Sequence, residues 1–268
     1  MVSLMQMDWP VILAVYMAMM LAGLVHGALG LGFPMVATPL VAVFLDVRTA
    51  ILLTLLPTVT VNVASIISSA NYKSGLVRFW PLTVFTLLGS LIGAYVLAIA
   101  DPSPFRLALA ALILLFLWTS HANRLPRAWM HANIGLAMVL FGLAAGFSAG
   151  TTNVMVAILI IFFLSLEVAR PVMVPVLNTC FMIGKLSQIV VLSMAGMVGT
   201  ALLLETIAPA AAGLVALLVG QRIRNHIPVE TYRRVLNGLL VLLAVILLAQ
   251  FALEVTGFGG SETTGNGS

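Results

Sequence analysis

The chain has 268 residues, of which 62% are hydrophobic and 7% charged, with a formal net charge of +4; its mean hydropathy is +1.18. A soluble core of this length cannot keep so much apolar surface from water, so the solvent for most of the chain is lipid. The basic excess lies in short joints rather than one patch, which argues against a nucleic-acid partner, and the one cysteine, Cys180, leaves no intrachain disulfide.

Backbone polar groups in hydrocarbon must be satisfied within helices or a closed barrel. Strict period-2 alternation is absent, so the sequence predicts helices. In chain order the apolar segments are 9–28, 31–45, 49–69, 79–100 and 105–120, then 134–150, 153–166, 171–194, 198–220 and 235–251. The residues before the first carry no Lys or Arg and no small-residue cleavage site follows, so this segment is expected to stay as an anchor. A span needs about 20 helical residues. The second segment of each half is short by that measure and is expected either to tilt or to pair with its predecessor as a re-entrant hairpin. Residues 256–268 are rich in Gly, Ser and Thr and are expected to be disordered.

Basic residues occupy alternate joints: Lys73 and Arg78, Arg124 and Arg127, Arg170, and Arg222, Arg224, Arg233 and Arg234. These joints are assigned to the cytoplasm of a bacterial inner membrane, which leaves both termini outside. The other side receives Arg48, balanced by Asp46, and Arg106, near Asp101. With the joints near Arg124 and Arg222 both inside, each half makes an odd number of crossings, and two similar halves with odd crossings are inverted relative to one another. The halves are read as 1–123 and 124–255. Gly23 is paired with Gly142, Gly27 with Gly146, and Gly93 with Gly220. The predicted class is an all-α polytopic membrane protein of two inverted repeats, each of about five segments, with 8–10 spans in all.

Two joints interrupt helices with glycine: His26-Gly-Ala-Leu-Gly30-Leu-Gly32-Phe-Pro-Met35, and Ala145-Gly-Phe-Ser148-Ala-Gly-Thr151-Thr152-Asn153. Broken helices free backbone N–H groups, and with the positive end of the helix dipole these attract anions. Gly30, Gly32, Thr38, Ser148, Thr151, Thr152 and Asn153 are therefore candidates for binding substrate; the plainer alternative is close helix packing through small residues. The string Gly146-Phe-Ser148-Ala-Gly150 matches a nucleophile elbow, but it lies in an apolar helix with no credible acid and histidine to follow it, so no enzyme is predicted.

Charges within spans are costly and usually functional. Lys185 and Glu205 each lie about ten residues, or about 15 Å, from the joint between their helices. They are expected to share a depth, where they either pair or divide the work: Lys185 attracting an anion, Glu205 carrying a proton. Asn62 and Asn178 are further polar candidates in the third segment of each half, with Gln188 near Lys185 and Asn178, and His26 is a second candidate for proton coupling. There is no HExxH, no Cys/His cluster and no Walker sequence, so no metal site and no cofactor is expected.

At these residues the chain resembles the sulfite exporter (TauE/SafE) family. Gly30-Leu-Gly32-Phe-Pro34 followed by Pro39-Leu40, the Asn71-Tyr72-x-x-Gly75-x-Val77 joint and the Gly89-x-x-x-Gly93 helix carry the resemblance, which covers almost the whole chain to about residue 251. It departs from the family's glycine pattern at Phe33 and at Thr151-Thr152-Asn153. The resemblance implies an inner-membrane carrier of sulfite, organosulfonates or related small anions. The expectation is a secondary transporter working by alternating access, with the anion near the midplane where the two breaks meet and a proton as co-substrate; the alternatives are a channel-like anion pore and a carrier of small carboxylates. The partners expected are the anion and the lipid bilayer, and a homo-oligomer is left open.

Overall fold

The structure is a computed structural model that describes residues 3–69, 72–101, 103–119, 127–223 and 229–255. Every regular element among them is helical: a 3-10 turn η1 (Leu4–Gln6), then α1 (Trp9–Leu29), α2 (Phe33–Ala42), α3 (Val47–Ile67), α4 (Tyr72–Ile99), α5 (Ser103–Thr119), α6 (Arg127–Ala132), α7 (Ile134–Thr152), α8 (Val156–Ser165), α9 (Arg170–Met194), α10 (Thr200–Glu205), α11 (Ile207–Ile223) and α12 (Val229–Val255). The expected tail 256–268 and the joints carrying Arg124, Arg224 and His226 lie outside the described residues. Among the described residues seven helical stretches are long and apolar enough to cross a membrane, one of them, Thr200–Ile223, made of α10 and α11 together, and α2, α5 and α8 are shorter apolar helices. Large apolar side chains such as Leu13, Met17, Ile92 and Val245 point outward, while Asn62, Asn178, Lys185 and Gln188 are buried. This inverted distribution is that of a chain solvated by lipid.

Each predicted segment is found as helix; the fourth and tenth begin earlier than expected, at Tyr72 and Val229, and proline marks two interruptions. α4 bends at a non-helical Phe79 (φ −111°, ψ 22°) two residues before Pro81. Proline removes a helical N–H and crowds the preceding turn. Phe79 is held in place by edge-on contacts to Phe162 and Phe163 of α8, with ring centroids 5.9 and 5.3 Å away. The ninth segment is cut at Thr206 into α10 and α11, because Pro209 has no N–H to donate to the carbonyl of Glu205. The short α6 was not anticipated.

Helix packing joins the two halves of the chain: α1 lies on α11, α4 on α7, α3 on α9, and α5 on α12. Glycine sets the closest of these approaches. A Cβ at Gly23 would sit 2.2 Å from the Gly213 carbonyl oxygen, and one at Gly27 would sit 2.1 Å from that of Leu217 and 2.9 Å from the Gly220 Cα. In the other pair, a Cβ at Gly146 would sit 2.1 Å from the Thr86 oxygen, and one at Gly150 would sit 2.6 Å from that of Ser90 and 2.7 Å from the Gly93 carbonyl carbon. The glycines with matching roles are thus Gly23 and Gly146, and Gly27 and Gly150. By these contacts the expected pairing of Gly23 with Gly142 and of Gly27 with Gly146 is offset by one helical turn, and Gly93 meets Gly150 as Gly220 meets Gly27.

The helix ends gather on two faces. On one, a cavity touches the end of α1 (Gly27, Gly30), the end of α3 (Ser68, Ser69), the start of α9 (Val174) and the end of α11 (Gln221). Arg170 donates to the Leu29 carbonyl there, and Arg127 pairs with Glu167 at 2.9 Å. On the opposite face, Arg48 donates to the carbonyls of Leu97, at 3.0 Å, and Ala100. Gln250, near the end of α12, donates to the Val43 carbonyl at 2.9 Å, and Glu205 meets η1. The first is called the basic face, since Arg78, Arg127, Arg170 and Arg222 belong to its helix ends, and the second the opposite face. The start of α1 and the end of α12 both lie on the opposite face.

Gly146→Leu is expected to destabilise the protein by about 3 kcal/mol or more, because the new side chain must displace backbone rather than a flexible neighbour. Gly135→Ala, whose Cβ meets nothing within 4 Å, is expected to be neutral or slightly stabilising. Thermal unfolding in detergent, measured for both variants, checks the pair.

Candidate functional site

The breaks between α1 and α2 and between α7 and α8 are present, and each is closed by a residue in the left-handed region. Gly30 (φ 80°) ends α1 and Gly32 (φ 103°) precedes α2, whereas Asn153 (φ 65°) ends α7. Asparagine is among the few side-chain-bearing residues that adopt this conformation readily, so Asn153 replaces glycine as a joint while adding an amide.

That amide organises the interior. Asn153 Nδ2 donates to Thr38 Oγ1 of α2 at 2.9 Å and to Thr54 Oγ1 of α3 at 3.1 Å, and the two hydroxyls lie 3.3 Å apart. Its Oδ1 accepts from Lys185 Nζ of α9, which also donates to Gln188 Oε1. Gln188 in turn uses Nε2 to donate to the carbonyls of Ala149, at 3.2 Å, and Gly150, at 2.7 Å. These belong to the last turn of α7, where the dipole is negative and the Ala149 carbonyl also accepts the Asn153 N–H at 3.3 Å. Lys185 is 1% exposed, and its partners are two amide oxygens and no carboxylate. An ammonium has three N–H groups, so one remains for a ligand.

The first break is built differently. His26 Nδ1 accepts the N–H of Phe33 at 3.2 Å and its Nε2 lies 2.8 Å from Ser65 Oγ of α3. Acceptance at Nδ1 assigns the proton to Nε2, so both ring nitrogens are engaged. Pro34 has no N–H, and that of Phe33 is taken by His26, so the expected free donors at the start of α2 are reduced. Asn178 Nδ2 donates to the Gly30 carbonyl at 3.1 Å. The neighbouring cavity, of about 230 Å³, is lined by Gly27, Gly30, Ser65, Ser68, Ser69, Val174 and Gln221.

Of the candidates read from sequence, Thr38, Asn153 and Lys185 come together, and Gly30, Asn178 and His26 form a second group; Gly32 caps α2. The two breaks do not meet at one depth. They touch α9 at Asn178 and Lys185, seven residues and about 10 Å apart along the axis, so Gln188 joins Lys185 but not Asn178. Ser148 donates to the Val154 carbonyl at 2.7 Å, Thr151 to that of Phe147 at 2.9 Å, and Thr152 to that of Ser148 at 2.9 Å. These three hydroxyls are spent on local backbone and are not offered to a ligand. Asn62 is fully buried on α3 and donates to the Thr58 carbonyl at 2.7 Å.

The expected pairing of Lys185 with Glu205 is not found. Glu205 accepts from Ser3 Oγ at 2.9 Å and from the Leu4 N–H at 2.6 Å, capping η1 on the opposite face. The assumption that failed is adjacency: α9 packs on α3, α4 and α7, whereas α11 packs on α1 and α3. Thr54 and Ser65 were missed as members of the interior. Their signal was available, since Thr54, Thr58, Asn62 and Ser65 fall at spacings of four, four and three, which is one face of a helix.

The family described as sulfite exporter TauE/SafE has a model that matches residues 15–247. No curated protein and no solved structure matches the chain. The matched region runs from α1 into α12 and includes both helix breaks and Lys185, and on that basis the chain belongs to the sulfite exporter TauE/SafE family of membrane transporters.

Proposed function

We propose that this protein is a secondary carrier of a small anion, sulfite or an organosulfonate, that binds at Lys185 and is exchanged between the two faces by alternating access. The observation that carries the reading is the lysine itself. A cation buried at the centre of a bundle of spanning helices, with amide oxygens but no carboxylate beside it, is costly unless an anion completes it. Asn153, Thr38 and Thr54 supply a polar wall; the Thr54 hydroxyl donates to its own helical turn, which leaves the Thr38 hydroxyl as the one that can turn toward an oxyanion.

Inversion of the two halves is part of the proposal. It is supported by the packing pattern, which is kept when α1, α2, α3, α4 and α5 are exchanged with α7, α8, α9, α11 and α12, and by the matching left-handed residues at Gly30 and Asn153. The basic face is assigned to the cytoplasm by its arginines, which places the start of α1 and the end of α12 outside an inner membrane. Neither residue expected to carry a proton stands beside Lys185: Glu205 caps η1 and His26 bridges Phe33 and Ser65. The anion's own gradient is therefore taken as the driving force.

Proteoliposomes offered sulfite, sulfoacetate, taurine and simple carboxylates are expected to show saturable flux of a sulfur oxyanion. Flux that never saturates would instead describe a pore. Lys185→Met is expected to abolish that flux. Asn153→Gly, which keeps the left-handed joint and removes only the amide, is expected to reduce it by about tenfold, the equivalent of roughly 1.5 kcal/mol for a hydrogen bond to a charged group. Normal transport in both variants, each present in the membrane at ordinary levels, would end the proposal.

Collapsing the proton gradient with an uncoupler, and separately replacing Glu205 by Gln, are expected to leave flux unchanged in the same vesicles. A loss in either arm would restore the proton as co-substrate. A reporter fused at the C-terminus is expected to be active only outside the cytoplasm.

A further inference from the structure

Between the cavity on the basic face and Lys185 runs a strip of buried polar groups that neither helix needs for its own fold. On α3 it consists of Ser65, Asn62, Thr58 and Thr54, in order from the cavity inward. Ser65 lines the cavity, and Thr54 holds the Asn153 amide that holds Lys185. Asn62, Thr58 and Thr54 are fully buried. The facing helix α9 places Val174 on the cavity and Asn178 between Val174 and Lys185. Asn62 Oδ1, Thr58 Oγ1 and Asn178 Oδ1 are all buried and have no hydrogen-bond partner among the described residues.

An unpaired buried polar atom costs about 1–3 kcal/mol, and few are found in a folded chain. Three on two helices packed against each other, all between one cavity and one buried cation, are better explained by traffic than by packing. On the opposite face the helix ends are closed among the described residues by Arg48 on the Leu97 and Ala100 carbonyls and by Gln250 on that of Val43, and the unpaired atom there, Gln250 Oε1, stands alone on α12.

We infer that the strip Ser65–Asn62–Thr58 of α3, with Asn178 of α9, is the route by which a hydrated small anion passes between the basic face and Lys185. The inference rests on the carrier reading above. Along this route the unpaired oxygens hold part of the anion's hydration water, and among the described residues the lysine is the one buried full charge the anion meets. Asn62 and Asn178 keep their N–H groups on the Thr58 and Gly30 carbonyls, so the oxygens they present accept from the water that travels with the anion, and they select by what shell of water can pass.

Cys180 is the single native cysteine, so Cys180→Ala gives a background for labelling. Single cysteines at Ser68, Asn62 and Thr58 are compared with Glu167→Cys and Asp101→Cys, which mark the basic and opposite faces. A charged, membrane-impermeant thiosulfonate is applied to either side of vesicles, and both modification and sulfonate flux are measured. Modification of Ser68→Cys, Asn62→Cys and Thr58→Cys from the Glu167 side alone is expected, with loss of flux when position 62 or 58 is modified. Modification from the Asp101 side, complete modification with flux retained, or no modification at 62 and 58 while Ser68→Cys reacts would each overturn the route. Ser65→Cys, on the same face of α3, replaces a variant that does not reach the membrane. Absence of flux in the unmodified protein would instead count against the carrier reading, because the sidedness of labelling is read independently of transport.

Discussion

A lysine buried among spanning helices with no carboxylate beside it is the constraint around which this bundle is arranged. Lys185 lies on the one helix, α9, that touches α3, α4 and α7 together, and its surroundings answer the charge with dipoles instead of a carboxylate. Gln188 couples it to two carbonyls at the negative end of α7, and Asn153 relays it to two threonines on α2 and α3. Fixed dipoles soften the burial of a cation without cancelling it. That residual field is what the proposed anion would answer.

The glycine contacts serve the same end from further away. Where α1 meets α11 and α4 meets α7, backbones approach closely enough that a single Cβ would collide. These two tight pairs lie on either side of α3 and α9, whose mutual surface is the more polar one. Close packing outside and looser, polar packing inside is a sensible division of labour for a bundle that must hold together while its centre admits a solute.

Much of the fold was legible because lipid imposes a simple rule: apolar run means helix, and the long runs mark spans. The breaks were legible for a related reason, since Gly30, Gly32 and Pro34 are residues that stop helices. Asn153 was read as a ligand candidate but not as the joint, because an asparagine in the left-handed region looks from sequence like any polar residue. Pairwise geometry was not legible. Lys185 and Glu205 seemed neighbours on the assumption that consecutive helices pack together, yet α11 turns to α1 instead. Ser148, Thr151 and Thr152 looked like donors in a cluster, but a hydroxyl in a helix finds its own preceding turn first, as all three do. Thr54 and Ser65 were passed over because single threonines and serines are unremarkable; only their shared face gives them meaning.

One consequence follows from Asn153 being both the bend and the ligand of the lysine. Any change of angle between α7 and α8 must be made at the φ and ψ of this residue, and those rotations swing the same side chain that holds Lys185, Thr38 and Thr54. Bend and charge clamp are therefore mechanically one part. A solute that takes over the lysine would unlatch the joint, and a joint that moves would release the lysine, so occupancy and shape at this point of the chain cannot vary separately.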